Sequence, residues 1–244
     1  MSDSAKRFAP GWPLWIFLLA FLPLLIILGF WQLDRAEEKR AMQAQMDANR
    51  SAVAETLEQL QRQPDPSWRP LYLQGRFDPE RIWLLDNRIR GGKAGVEVLQ
   101  VFDDHASGDS LIVNRGWIPW PDRRQRPTVE TPDQDVQLDA EALPSAEQGF
   151  TLGQSGGTSD WPKLISRVDL ASMAAGVDRP LLGWTARLKT GSQAAFKLDW
   201  PALPMTASKH TAYAVQWFAL AIALLALFIW AGFQSEHRGK NNNE

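Results

Sequence analysis

The sequence predicts an α+β membrane protein in which two transmembrane helices flank an extracytoplasmic, antiparallel β-rich domain. Three observations carry that prediction. Phe8–Leu33 runs 26 residues without a charge, and Thr211–Ser235 runs 25. About 20 apolar residues rising about 1.5 Å each cross a bilayer core of about 30 Å. Between these runs, short β-branched segments alternate with Gly and Asp clusters at strand-and-turn spacing.

The expected organisation is a cytoplasmic tail over 1–11, a first span over 12–33, a juxtamembrane helix and linker over 34–67, the β-rich domain over 68–209, a second span over 210–233 and a cytoplasmic tail over 234–244. The first run exceeds the roughly 7–15 apolar residues of a signal peptide and lacks an Ala-x-Ala cleavage site, so it reads as an uncleaved anchor. Trp12, Trp15, Phe30 and Trp31 stand near its ends, where amphipathic rings favour the headgroup zone. Pro23 removes one backbone hydrogen bond mid-span, which a membrane helix tolerates, usually with a kink. Lys6, Arg7, Arg238 and Lys240 lie outside the two runs and favour termini in the cytoplasm. Arg35, Lys39, Arg40 and Lys209 flank the spans on the other side, but a loop this long escapes the charge rule.

The 176 residues over 34–209 suffice for one domain with a real core. Their 22 Lys and Arg against 25 Asp and Glu give no basic block, so nucleic acid is not an expected partner. Cysteine is absent, which excludes disulfides and thiolate chemistry. Asp34–Arg62 is rich in Ala, Gln, Glu and Leu without Gly or Pro, and predicts a helix continuing several turns beyond the bilayer until Pro64. Leu71–Phe77 and Ile82–Asn87 predict strands, as do Val96–Phe102 and Ser110–Asn114, with Arg90–Gly95 as a turn. Val136–Ala142, Gly183–Lys189 and Ala194–Asp199 are further strand candidates. Asp169–Ala175 predicts a short helix capped by Asp169, and Gly149–Asp160 a loop.

No nucleophile–base pair or spaced metal-ligand set is visible, so no catalytic residue is assigned and the chain reads as a non-enzyme. Asp103 and Asp104 beside His105 form a polar turn rather than a metal site. Arg115, in Asn114-Arg-Gly-Trp-Ile-Pro119, is either a fork for a carboxylate, haem propionates included, or an internal strand-end salt bridge. Trp117 and its neighbours are expected on or near the membrane-facing side of the domain. His210 stands at the mouth of the second span, with Tyr213, Ala214 and Trp217 on one helical face and Gln216 at the adjacent edge. That placement suits axial ligation of haem iron by imidazole, and equally suits an interfacial histidine among belt aromatics.

Several segments in order resemble the Surf1/Shy1 family. They are Gly29-Phe-Trp-Gln-Leu-Asp-Arg35 with Glu38-Lys39, Gly75-Arg-Phe77, Leu84-Leu-Asp-Asn-Arg88, Gly92-Lys-Ala-Gly95, Leu111-Ile-Val-Asn-Arg-Gly-Trp-Ile-Pro119, Trp161-Pro-Lys163, Asp169–Ala174 and His210-Thr-Ala-Tyr-Ala-Val-Gln-Trp-Phe218. Val98–Phe102 lacks a Thr-Pro frequent in the family, and Ser208-Lys209 stands where an Asn often precedes the histidine. The resemblance implies a cytochrome c oxidase assembly factor that supports maturation of oxidase subunit I, with haem a as cargo and haem a synthase as a further partner. It implies a protein of the bacterial cytoplasmic or mitochondrial inner membrane with its domain on the outer side. The short tails and lack of a mitochondrial-type presequence favour the bacterial inner membrane, with the domain in the periplasm. The haem-linked histidine of the family falls on His210, with Tyr213, Gln216 and Trp217 around it and Arg35, Lys209 and Arg115 as propionate candidates. A scaffold for an assembly intermediate that never touches haem, and a membrane-anchored enzyme, are the competing readings.

Overall fold

The computed structural model describes residue 8 and residues 10–144, 160–200 and 207–234. The chain forms two compact units, one from residues 1–44 with 202–244 and one from residues 45–201.

Helix α1 (Trp12–Arg50) and helix α4 (Ala207–Gln234) are both long and apolar enough to cross a membrane. Only 11% and 17% of their most apolar stretches are buried, whereas the core helix of a soluble protein would be mostly covered. Within the first unit the two helices run antiparallel. Trp15 meets Phe228 at 4.8 Å between ring centroids and Phe30 meets Phe218 at 5.4 Å, so low positions on α1 face high positions on α4. The buried seam is built from Leu18, Gly29 and Ala36 on α1 against Ala214, Ala221 and Phe228 on α4. Small side chains dominate it because dispersion between closely approaching helices, not hydrophobic transfer, holds such pairs together in lipid. Pro23 is accommodated without a break in α1.

The predicted helix over Asp34–Arg62 is interrupted. α1 ends at Arg50, where Ser51 Oγ donates to the Asp47 carbonyl, and a second helix, α2 (Leu57–Gln61), starts afresh. Thr56 caps α2 in a reciprocal box: its hydroxyl accepts from the Gln59 N–H, while Gln59 Oε1 accepts from the Thr56 N–H. The break lets β1 (Glu55–Thr56) pair with the domain and lets Leu57 and Leu60 turn into its core, fully buried. Helix propensity is outweighed here by burial of two leucines, about 1.5–3 kcal/mol each.

The second unit is a closed ring of strands. β2 (Pro70–Arg90) pairs antiparallel with β3 (Lys93–Asp104), and β3 with β4 (Ser110–Pro119). β4 pairs parallel with β7 (Thr185–Leu188), β7 antiparallel with β5 (Val136–Leu143), and β5 antiparallel with the first residues of β2. The sheet is therefore mixed, with further parallel pairings of β1 and β6 (Lys163–Ile165) to β2. A parallel neighbour needs a long crossover, supplied by the chain between β4 and β7. The two segments expected as separate strands at Leu71 and Ile82 are one strand with an irregularity between Phe77 and Ile82. Ala194–Asp199 makes only a single bridge, Trp117 to Lys197. The Gly91–Gly92 turn joins β2 and β3 at positive φ, which glycine adopts freely. Most of the loop expected over Gly149–Asp160 lies outside the described residues.

Alternate residues of each strand point into one core. Leu71, Leu73, Leu138, Ala140, Leu111, Val113, Ala186 and Leu188 pack there with Leu57 and Leu60. Ile112, between Leu111 and Val113, joins Trp83, Leu85, Leu99 and Val101 on the opposite face. Helix α3 (Leu170–Ala174) covers that face with Met173, and Asp169 caps it by accepting from the Ser172 N–H.

Candidate functional site

His210 lies in the first turn of α4 and is 8% exposed. Its Nδ1 is 2.8 Å from Oε1 of Gln32 on α1. Gln32 is the one amide side chain in the charge-free first run, where an unpartnered polar group is costly. Its bond to His210 meets that cost. Ala36 and Ala214, one turn away on either helix, are buried and allow the backbones to close around the pair.

A second polar tie lies beside the first. Arg40 Nη2 donates to Thr211 Oγ1 at 3.0 Å, and Thr211 in turn donates to the Ala207 carbonyl at 3.1 Å. Arg40 also pairs with Glu37 at 3.1 Å. Arg35 pairs with Glu38 at 2.6 Å, and its guanidinium stands 5.8 Å from the Trp31 ring centroid. Both ion pairs are solvent-exposed and of low strength, so these arginines can exchange partners at small cost. Lys209 is exposed next to His210.

The remaining residues expected on the face of His210 divide. Positions 210, 214, 218 and 221 form the side of α4 against α1, and Phe218 packs there on Gly29. Trp217, at the edge of that stripe, is half-buried, whereas Tyr213 is 49% exposed and Gln216 exposed. At about 100° per residue, Gln216 falls about 120° from His210, far enough to turn it outward.

Arg115 belongs to the other unit and is committed inside it. Nε donates to the Ala194 carbonyl at 3.0 Å, Nη1 to Gln100 Oε1 at 2.6 Å, and Nη2 to the Glu130 carbonyl at 2.8 Å. Phe77 and Phe196 cover its two faces at 4.8 and 4.5 Å. These partners are neutral oxygens and rings, not the carboxylate expected of a salt bridge. Burial without such a partner pulls its pKa down to about 10. Trp117 is likewise buried, its Nε1 donating to the Arg88 carbonyl at 2.8 Å, and is not a surface aromatic.

His105 Nδ1 stands 3.2 Å from Asp135, which also holds Arg76. Asp104 is spent on its own turn, accepting from the Gln74 and Ser107 N–H groups and the Ser107 hydroxyl. Among the described residues no three His, Cys, Asp or Glu side chains cluster as metal ligands.

Gln32 and Arg40 are the site residues that the sequence did not single out. Gln32 carried a signal, as the lone amide in an apolar run. Arg40 carried none, being one of several charges flanking the spans.

A sequence model of the SURF1 family matches residues 19–222, which includes every residue of this membrane-helix site. The chain belongs to the SURF1 family. SURF1 proteins are cytochrome c oxidase assembly factors. The chain is 26% identical over 227 residues to a SURF1-like protein of Rickettsia felis, covering 87% of this chain and 93% of that protein. It is 27% identical over 219 residues to a SURF1-like protein of Rickettsia conorii, covering 84% and 85%. A SURF1-like protein of Rickettsia bellii is 24% identical over 214 residues. In this SURF1 chain the segment entering α4 and the segment leaving the apolar part of α1, far apart in sequence, meet through His210 and Gln32.

Proposed function

We propose that this SURF1 protein binds haem a at the membrane face and assists its insertion into, or the maturation of, cytochrome c oxidase subunit I. The observation that supports this most is the histidine held at the mouth of α4 by an amide from α1. The donor chemistry fits an iron porphyrin. Neutral imidazole is a common protein ligand for haem iron. His210 would hold the iron, and Trp217 and Tyr213 would offer π faces to the macrocycle. Arg35 and Arg40, with Lys209, would meet the propionates, since guanidinium groups pair with carboxylates through two parallel donors. Arg115 is left out of this set because its donors are already engaged. The role is that of a non-catalytic carrier acting in a bacterial inner membrane, with residues 45–201 in the periplasm and subunit I and haem a synthase as partners.

A second reading is a scaffold that holds an oxidase assembly intermediate without haem. The burial of His210 favours it, because a histidine that only pins two helices would be buried in the same way. The visible spectrum of detergent-purified protein from cells that make haem a separates the two. A haem a spectrum copurifying with the protein supports the carrier, and its absence supports the scaffold. Protease added to spheroplasts tests the orientation, and protection of residues 45–201 would reverse it.

A further inference from the structure

We infer that Gln32 is a positioning residue that fixes the tautomer of His210, so that Nε2 is the nitrogen offered to a metal. The inference rests on the haem-binding reading for the identity of the ligand, but not for the tautomer itself. Gln32 Oε1 is 2.8 Å from His210 Nδ1. With the amide oxygen turned to the ring, that oxygen can only accept, and on this inference Nδ1 carries the hydrogen and donates it. A neutral imidazole with its hydrogen on Nδ1 has its lone pair on Nε2. A lone pair there is the one a metal ion needs, and histidine ligands to metals routinely donate their other ring N–H to a carbonyl or carboxylate that sets ring orientation and basicity.

The surroundings favour this division of labour. Gln32 has apolar neighbours in the chain, Trp31 and Leu33, and Ala36 one turn on is fully buried. The His210 ring is the partner shown for this amide, so the orientations of the two groups are set together. The adjacent bond from Arg40 to Thr211 is a second polar link between the same two helices. The amide turned the other way would donate to Nδ1 and leave the hydrogen on Nε2, blocking that nitrogen.

The test uses the full-length protein in detergent micelles with 15N-labelled histidine, without haem. The resonances of His210 are assigned by their loss in His210→Ala. In the wild type at neutral pH they are expected to report a protonated Nδ1 and an unprotonated Nε2. Gln32→Leu should give a mixture of tautomers, and Gln32→Glu, which retains an acceptor oxygen, should keep the hydrogen on Nδ1. A hydrogen on Nε2 in the wild type, or an unchanged tautomer in Gln32→Leu, overturns the inference whatever the protein binds. Titration with ferric haem a then reads the consequence. Gln32→Leu should bind about 10–100-fold more weakly, the usual cost of losing such a partner, with Gln32→Glu close to wild type. If wild type takes up no ferric haem, the haem reading falls while the tautomer result still decides the part of Gln32. If haem binds through His210 and Gln32→Leu binds it equally well, Gln32 has no positioning role.

Discussion

The ring of Phe218 lies against the backbone of Gly29, so closely that a Cβ at position 29 would fall 2.6 Å from ring atoms Cε1 and Cζ. Gly29 stands one turn before Gln32 on α1, and Phe218 two turns beyond His210 on α4. Gly29→Ala should therefore force Phe218 off its position and cost about 1–3 kcal/mol, the usual range for overpacking. Thermal unfolding in detergent should show the loss, and adding Phe218→Leu to Gly29→Ala should recover much of it. No change on Gly29→Ala would mean the helices do not pack as described.

Glu141 takes Arg50 on Oε1 at 2.6 Å and Arg187 on Oε2 at 3.2 Å. Arg187 is itself stacked against Trp68 and Trp200, at 5.5 and 5.2 Å. Burial pulls the Arg187 pKa down, and the Glu141 carboxylate opposes that shift. Removing the carboxylate strands two guanidinium groups, one of them well buried. Glu141→Leu should destabilise the domain by about 3–5 kcal/mol. Glu141→Leu with Arg187→Met should be less damaging than Glu141→Leu alone, as measured by chemical unfolding, because the stranded charge is gone. A double variant as unstable as the sum of both changes would contradict this.

Arg115 spans three neutral acceptors between two phenyl rings. An ammonium is a point donor that cannot reach all three or stack in the same way. Arg115→Lys should cost about 2–4 kcal/mol, since each buried acceptor left unmet is worth about 1–3 kcal/mol. Haem content per folded molecule should stay at the wild-type level. A selective loss of haem in stably folded Arg115→Lys would return Arg115 to the ligand site.

Leu57 and Leu60 fill the core from outside the strand-forming sequence. A fragment of residues 45–201 should fold as a β-rich unit, and one of residues 68–201 should be less stable by about 3–6 kcal/mol, the burial of two leucines. Circular dichroism and thermal unfolding of the two fragments make the comparison. Equal stability would show that α2 is not part of the core.

The sequence made some of this plain and concealed the rest, for physical reasons that differ by residue. Charge-free length exposes a membrane span directly, and the Gly91–Gly92 turn and the Asp169 cap are local chemistry. Closure of the ring is not local. β7 joins β4 in parallel after a long crossover, and nothing in Thr185–Leu188 names its neighbour. The break after Arg50 was hidden because the flanking residues are mostly good helix formers without Gly or Pro, and the weak formers Ser51, Val53 and Thr56 are too scattered to mark it before the burial of Leu57 and Leu60 is known. The chain neighbours of Arg115 put it near Trp117 and Trp120, but the rings that cover it are Phe77 and Phe196, and the acceptors that engage it come from residues 100, 130 and 194. His210 was legible as a residue at a helix mouth, while its partner lies 178 positions away.

The most direct test of the haem-carrier account compares visible haem spectra of wild type, His210→Ala and His105→Ala, purified at equal membrane abundance from cells that make haem a. His105 lies on an exposed turn beside Asp135 and serves as the control. The account predicts that His210→Ala inserts and folds but loses haem a, while His105→Ala keeps it. Retention of haem a by His210→Ala, at wild-type stoichiometry, would contradict the ligand role of His210.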